Sequence, residues 1–437
     1  MLRTADMPIL NKNLRRLLLV AGGFPLATLV FVGAAPFFAS GQSEPSLRTL
    51  WEIQAVDTVK YSRDEARLHP RDPNFDAVID QQMRAIASLG ATHVALGTPY
   101  DEEFLPFLER WVSAARKHRL NVWYRGNWSG WEGWYDYPPM SRGQHLVKTE
   151  NFILDHPFLF EDGDIFTACP ECENGGPGDP RRNSDVRGHR QFLIDEFWIT
   201  SNAFAKIKRD VRSNLASMNG DVARLVMDRA TTKALGGIVT VDHYVGTPAK
   251  LARDLSDLVE QSGGLIVLGE TGVPIPDIHG RMNEREQALW IDQALAEVAR
   301  LDAVIGVNYW VNVGGSTELW SSSGVPREGV AILKKYFSPQ FVTGFVTDAQ
   351  SQPVRAARVD SGYRDTMTTE SGFFEIALPS DDELSLKIAA PGFAEQKLVV
   401  RNPDEPLNIA LQQRQLNWWQ RLWARLGDFF RNLTGTD

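Results

Sequence analysis

A chain of 437 residues is long enough for one large domain or two to three smaller ones. Its hydrophobic content of 43% is globular, and 46 basic against 55 acidic residues leave a formal charge of −9. That balance lacks the basic footprint of a nucleic-acid binder, so nucleic acid is not an expected partner.

The N-terminus reads as an export segment rather than as part of a fold. Lys12, Arg15 and Arg16 precede an uncharged, largely apolar run from Leu17 to Phe38. Roughly 20 such residues span a bilayer, and a positive flank before an apolar core is also the order of a secretory signal. Residues 1–41 are therefore expected to be a signal anchor or a signal peptide. The anchor is favoured because the run is long for a signal. The rest of the chain is then expected on the exported side, membrane-anchored and facing the periplasm or the cell exterior.

After a Gly/Ser/Pro linker over 41–46, strand and helix patterns alternate. Strands are predicted at Leu50–Val56, Ala91–Leu96, Leu120–Tyr124, Asp164–Ala168, Leu215–Asn219, Ile238–Val245, Leu265–Gly269 and Ala303–Tyr309. Helices are predicted at Ala77–Leu89, Glu102–Arg119, Ser141–Leu154, Asp195–Asn214, Val222–Leu235, Pro248–Gln261, Asn283–Leu301 and Gly329–Tyr336. Strict alternation demands a parallel sheet, and eight units over roughly 290 residues match a (β/α)8 TIM barrel. The competing α/β arrangement, an open doubly wound sheet, usually carries a Gly-rich loop after its first strand. Glu52-Ile-Gln-Ala-Val-Asp57 has no glycine, so a barrel is expected over 47–337.

From Phe341 the pattern changes to short strands separated by turn residues: Phe341–Val346, Ala357–Val359, Phe373–Ile376, Leu384–Ala390, Gln396–Val400 and Leu407–Leu411. This predicts a small antiparallel β-sandwich over 341–412. Residues 415–433 read as an amphipathic helix. Leu416, Trp419, Leu422, Trp423, Leu426, Phe430 and Leu433 form one stripe, and Arg414, Arg421, Arg425 and Arg431 lie largely off it. Such a face either docks on protein or lies in a membrane interface.

Two carboxylates stand at strand exits. The apolar run Leu265-Ile-Val-Leu opens into Gly269-Glu-Thr-Gly272, which places Glu270 after the seventh strand. The fourth strand runs into Cys169-Pro-Glu-Cys-Glu-Asn-Gly175, which places Glu171 after it, with Glu173 as a rival in the same loop. In a barrel the C-terminal strand ends all face one mouth. Cys169 and Cys172 form a C-x-x-C pair without the further ligands a zinc ribbon needs. A local disulfide and two free thiols both stand, and neither a metal nor a cofactor is expected.

These strand exits resemble the superfamily of retaining glycoside hydrolases (clan A) whose acid/base follows strand four and whose nucleophile follows strand seven. The resemblance implies that Glu171 is the acid/base and Glu270 the nucleophile. Two positions differ from that pattern. Pro170 stands where an Asn usually precedes the acid/base, and no Arg follows strand two, leaving Arg125 after strand three as its substitute. By the same resemblance Tyr244 or His243, after strand six, orients the nucleophile, and Trp310, beside Asn308 after strand eight, is a sugar platform. The loop Arg125-Gly-Asn-Trp-Ser-Gly-Trp-Glu-Gly-Trp134 offers Asn127, Trp128, Trp131 and Trp134 as sugar subsites, with a self-packed aromatic loop as the alternative. Trp320 adds a wall, and Glu52 and Asp57 after strand one either bond sugar hydroxyls or pair with Arg125.

Further on, Val342-Thr-Gly-Phe-Val-Thr-Asp348, Pro353-Val354, Thr369-Glu-Ser-Gly-Phe-Phe-Glu375 and Ala390-Pro-Gly-Phe393 together resemble the carboxypeptidase-regulatory-like domain, an accessory module. The expectation is thus a retaining glycoside hydrolase acting on an oligo- or polysaccharide. A transglycosylase, a catalytically inactive barrel that binds carbohydrate or serves as a cell-surface scaffold, and a thiol–disulfide enzyme using Cys169 and Cys172 are the alternatives.

Overall fold

The computed structural model describes residues 49–380, 384–401 and 403–414. The expected anchor (1–41) and the expected tail helix (415–433) lie outside the described residues. Among the described residues no helix is long and apolar enough to cross a membrane.

Eight strands form one parallel sheet: β1 (Ile53–Asp57), β2 (His93–Leu96), β3 (Asn121–Tyr124), β4 (Ile165–Phe166), β5 (Ser217–Asn219), β6 (Ile238–Asp242), β7 (Leu265–Thr271) and β8 (Val304–Tyr309). Their order is β4-β3-β2-β1-β8-β7-β6-β5, so every neighbour in the sheet is a neighbour in sequence except β1 and β8. The β1–β8 pairing curls the sheet, and the two outer strands approach each other. Ile165 bridges Arg212 in parallel, Phe166 N donates to Arg212 O at 2.8 Å, and Glu171 N donates to Ser217 O at 2.9 Å. This is a TIM-like α/β architecture.

Side chains alternate across each strand. Ile53, Ala55, Ala95, Trp123, Ile165, Leu215, Ile238 and Val267 form a core inside the curl. A much larger core lies between the strands and the surrounding helices. Those helices are α1 (Phe75–Ala87), α2 (Leu105–Lys117), α3 (Arg142–Asp155), α4 (Val186–Ile207), α5 (Gly220–Val226), α6 (Arg229–Ala234), α7 (Pro248–Ser262), α8 (Glu284–Ala299) and α9 (Glu328–Phe337).

The structure departs from the sequence reading in two helices. The helix expected at Asp195–Asn214 begins earlier, because Asp185 caps it by accepting from Gly188 N, and it ends at Lys208 in a left-handed turn. Residues 210–212 are thereby released to bond β4. The helix expected at Val222–Leu235 is two helices, α5 and α6, because Asp228 starts a second N-terminus by accepting from Thr231 N at 2.8 Å.

Past α9 the chain forms β9 (Gln340–Thr347), β10 (Arg358–Asp360), β11 (Asp365–Met367), β12 (Phe373–Leu378), β13 (Leu384–Ala389), β14 (Gln396–Val400) and β15 (Leu407–Ala410). One sheet, β11-β10-β13-β14, is antiparallel. The other, β12-β9-β15, is not purely antiparallel as expected: β9 pairs antiparallel with β12 and parallel with β15. Val342, Val346, Phe374, Ile376, Leu386 and Ile388 are among the buried residues of a separate core there. The short strand β11 had no signal in the sequence, since Asp365–Met367 is largely exposed.

Candidate active site

Strand alternation predicts what reaches the mouth. Counting by two from the interior residues Ala55, Trp123 and Ile238 leads to Asp57, Arg125 and Asp242. Counting by two from Val267 leads to Gly269 and Thr271 and leaves Glu270 facing the helices. A β-bulge corrects this. Val241 pairs with Leu268 but Asp242 pairs with Glu270, so β7 carries one extra residue at Gly269. The bulge turns Glu270 into the mouth and leaves it inside the strand rather than beyond it. Only glycine fits the bulge: a Cβ on Gly269 would lie 2.3 Å from Asp242 Oδ1 and 3.2 Å from Arg125 Nη1. Asn308 Nδ2 and Arg125 Nη1 donate to the carbonyl of Gly269 at 2.8 and 3.1 Å and pin it.

Arg125 is the centre of the floor. Its Nη2 donates to Glu270 Oε1 at 2.5 Å and to Asp242 Oδ2 at 3.2 Å, and its Nε lies 3.4 Å from Asp57 Oδ2. Burial opposes its charge, but Asp242, Glu270 and Asp57 outweigh that and hold it protonated. The second oxygen of Glu270 accepts from the Tyr244 hydroxyl at 2.8 Å. Glu270 is 9% exposed. Burial pushes its carboxyl up, Asp242 and Glu171 push the same way, and Arg125 opposes them. Its two oxygens each accept from a separate donor, the arrangement a carboxylate requires.

Carboxylate oxygens of Glu171, Asp242 and Glu270 all lie within 4.8 Å of one another. Glu171 accepts from Asn174 Nδ2 at 2.8 Å. Burial, then Asp242 and Glu173, push its carboxyl up to about 8, so it holds a proton at neutral pH. Glu171 and Glu270 line a cleft of about 460 Å³ together with Trp310, Arg63, Glu132 and Trp134. Burial pushes the Glu132 carboxyl up to about 7 against the hydrogen bond from Asn127.

Of the residues singled out in the sequence, Glu171, Glu270, Tyr244, Arg125, Asp57, Trp134 and Trp310 therefore meet in one cleft. Others do not reach it. Glu52 precedes β1, at the opposite end of the strand, where it pairs with Arg212. His243 faces the helices, with Nε2 2.7 Å from Asp254 Oδ2 on α7, because it follows the inward Asp242 by one residue. Trp128 is buried against Tyr100 and Phe152 and donates to Thr149 Oγ1 at 3.0 Å. Trp131 is stacked on Phe192. Both are packing residues, so the aromatic loop is anchored by two of its indoles and brings the third, half-buried, to the cleft.

Trp320 is buried beside a separate small crevice with Gln82 and Asn312. Asn127 lies behind the wall, where it accepts from Trp128 N and donates to Glu132. Asn308 lies beneath the floor, as above. Glu173 turns away, its Oε1 accepting from Asn219 N at 2.7 Å and Nδ2 at 2.9 Å. Cys169 and Cys172 are joined in a disulfide. Asp242, Glu132 and Arg63 were missed in the sequence; alternation along β6 marks Asp242, whereas Glu132 ends and Arg63 caps a one-turn helix too short to show a period.

Fold and cleft define a TIM-type α/β protein with an acidic, Arg-centred mouth. No family model matches the chain, and no curated protein matches it. Among solved structures it is similar to a GH5_18 variant from Bifidobacterium longum subsp. longum ATCC 55813 in complex with Manb1-4GlcNAc. That match has a TM-score of 0.50 and 13% identity, and covers 69% of this chain and 84% of the other. A GH5_18 variant from Streptomyces cattleya, in complex with the same ligand, matches at TM-score 0.48 and 14% identity, over 68% and 85% of the two chains. The Bacteroides uniformis β-glucuronidase matches at TM-score 0.45 and 10% identity, over 82% and 46%. The chain thus spans about half the length of that β-glucuronidase. At these identities the likeness is one of fold.

Proposed function

We propose that the protein is a retaining glycoside hydrolase acting on an oligo- or polysaccharide, with Glu270 as nucleophile and Glu171 as acid/base. The observation that carries the reading is that an oxygen of Glu171 and an oxygen of Glu270 lie within 4.8 Å of each other. Retaining enzymes hold theirs about 5 to 5.5 Å apart, whereas inverting enzymes leave about 6.5 to 9.5 Å for a water.

The proton held by Glu171 supports the acid role, and the Arg125 guanidinium beside Glu270 opposes the burial that raises its carboxyl. Glu171, raised to about 8, gives its proton to the glycosidic oxygen as the bond to the anomeric carbon breaks. Glu270, oriented by Arg125 and Tyr244, attacks that carbon and forms a glycosyl ester. Glu171, now a carboxylate, takes a proton from water, which attacks the same carbon and frees Glu270. Trp310 offers an indole face for a pyranose. In the reading, residues 1–41 tether the enzyme to a membrane after export, and the module built on β9–β15 is accessory and carboxypeptidase-regulatory-like.

The test is a panel of 4-nitrophenyl β-D-glucoside, mannoside, galactoside and glucuronide with matching polysaccharides, wild type beside Glu270→Ala. The mannoside is included because the Bifidobacterium neighbour holds Manb1-4GlcNAc. Expected is turnover whose first product keeps the β configuration by proton NMR, and a loss of about 10³-fold or more in Glu270→Ala. Turnover that survives in the variant, or an inverted first product, sinks the proposal.

A further inference from the structure

The Cys169–Cys172 disulfide has no step in the reaction above, yet it brackets the acid/base. Pro170 and Glu171 are the two residues between the half-cystines. The sheet holds Glu171 by a single backbone bond, from its N–H to Ser217 O on β5 at 2.9 Å: β4 is only Ile165–Phe166, and Glu171 lies five residues beyond it. Glu270, by contrast, sits within β7. Glu171 also adopts φ 44° and ψ 50°, a left-handed conformation that residues with a side chain seldom take without a constraint.

The bridge supplies that constraint, and it is itself anchored from behind. Both half-cystines are buried, Cys169 at 3% and Cys172 at 1% exposure. Asn127 Nδ2 lies 3.5 Å from Cys169 Sγ, and Trp131 Nε1 donates to the carbonyl of Cys172 at 3.3 Å. Pro170 and Glu171 are left facing the cleft. We infer that the Cys169–Cys172 disulfide is a positioning element that aims Glu171 at the glycosidic oxygen, the task that the β7 ladder performs for Glu270. The inference rests on the glycosidase reading above.

The test compares two aryl glycosides of the pyranose the wild type cleaves fastest in the four-sugar panel, one with a 2,4-dinitrophenyl and one with a phenyl leaving group. Dinitrophenolate departs without a proton and phenolate needs one, so only the second reports on the aim of Glu171. For Cys169→Ser/Cys172→Ser, kcat/KM is expected to fall about 30-fold or more on the phenyl glycoside and less than about 3-fold on the dinitrophenyl one, and the basic limb of its pH profile to move. Thiol titration of unfolded, unreduced wild type should find no reactive thiol. Should the double variant fail to fold, wild type reduced with dithiothreitol and alkylated carries the same comparison.

Equal falls on both glycosides, no fall on either, or two reactive thiols in the wild type would each overturn the role of the disulfide while leaving the glycosidase reading intact. A wild type that turns over neither glycoside overturns that reading, and this inference with it.

Discussion

Arg125 Nη2 meets Glu270 Oε1 at 2.5 Å on the floor of the cleft, and the remaining charges are arranged around that contact. Asp57 and Asp242 touch the same guanidinium. Burial raises both of these acids and Arg125 lowers them. Replacing Arg125 by Met leaves buried carboxylates without a counter-charge, a change that typically costs about 3–5 kcal/mol. Thermal unfolding at pH 7 should show that loss, and it should shrink at pH 5, where the carboxyls take up protons. An unchanged Tm would contradict the arrangement.

Tyr244 holds the other oxygen of Glu270. Tyr244→Phe removes one hydrogen bond to a charged group, about 1.5–3 kcal/mol, and should lower kcat/KM roughly 10- to 150-fold. Steady-state kinetics over pH should show the loss without movement of the basic limb, because the proposed mechanism assigns that limb to Glu171.

In the proposed mechanism the Glu171 carboxyl acts when protonated, and burial raises it to about 8. The kcat/KM profile on a phenyl glycoside should therefore fall as pH rises past about 8, whereas a 2,4-dinitrophenyl glycoside, which needs no proton, should show no such fall.

The same shift acts on stability. Folded Glu171 binds its proton more tightly than the unfolded chain does, so stability falls as pH rises from about 4.5 through about 8. Glu132, raised to about 7, acts in the same direction. Urea unfolding of wild type should lose on the order of 1–3 kcal/mol between pH 5 and pH 8, allowing for solvent in the open cleft. Glu132→Gln and Glu171→Gln should each flatten that slope.

Two tryptophans separate binding from packing. Trp310 lines the cleft, and Trp310→Ala should raise KM with little change in Tm. Trp128 is in the core, and Trp128→Ala should cost about 3–5 kcal/mol of stability by denaturant titration. The reverse pattern would mean that Trp128, and not Trp310, meets the substrate.

The eight strands, their parallel order and the carboxylates near the C-terminal ends of strands four and seven were legible in the sequence, because apolar runs and their spacing are local properties of the chain. The β-module was legible in outline for the same reason. Which side of a strand a residue faces was only partly so. Alternation gives Asp57, Arg125 and Asp242, and it excludes His243. Glu270 breaks the alternation, and only the bulge at Gly269, fixed by pairing with Asp242 and by donors from Arg125 and Asn308, turns it into the mouth. The three indoles of the aromatic loop are equivalent in sequence, yet helix contacts bury Trp128 and Trp131 and leave Trp134 at the cleft. The sequence alone thus determined which segments fold and what chemistry they carry. The tertiary structure decided which carboxylates meet and which aromatics stay exposed, because register, bulges and burial arise from pairing between segments far apart in the chain.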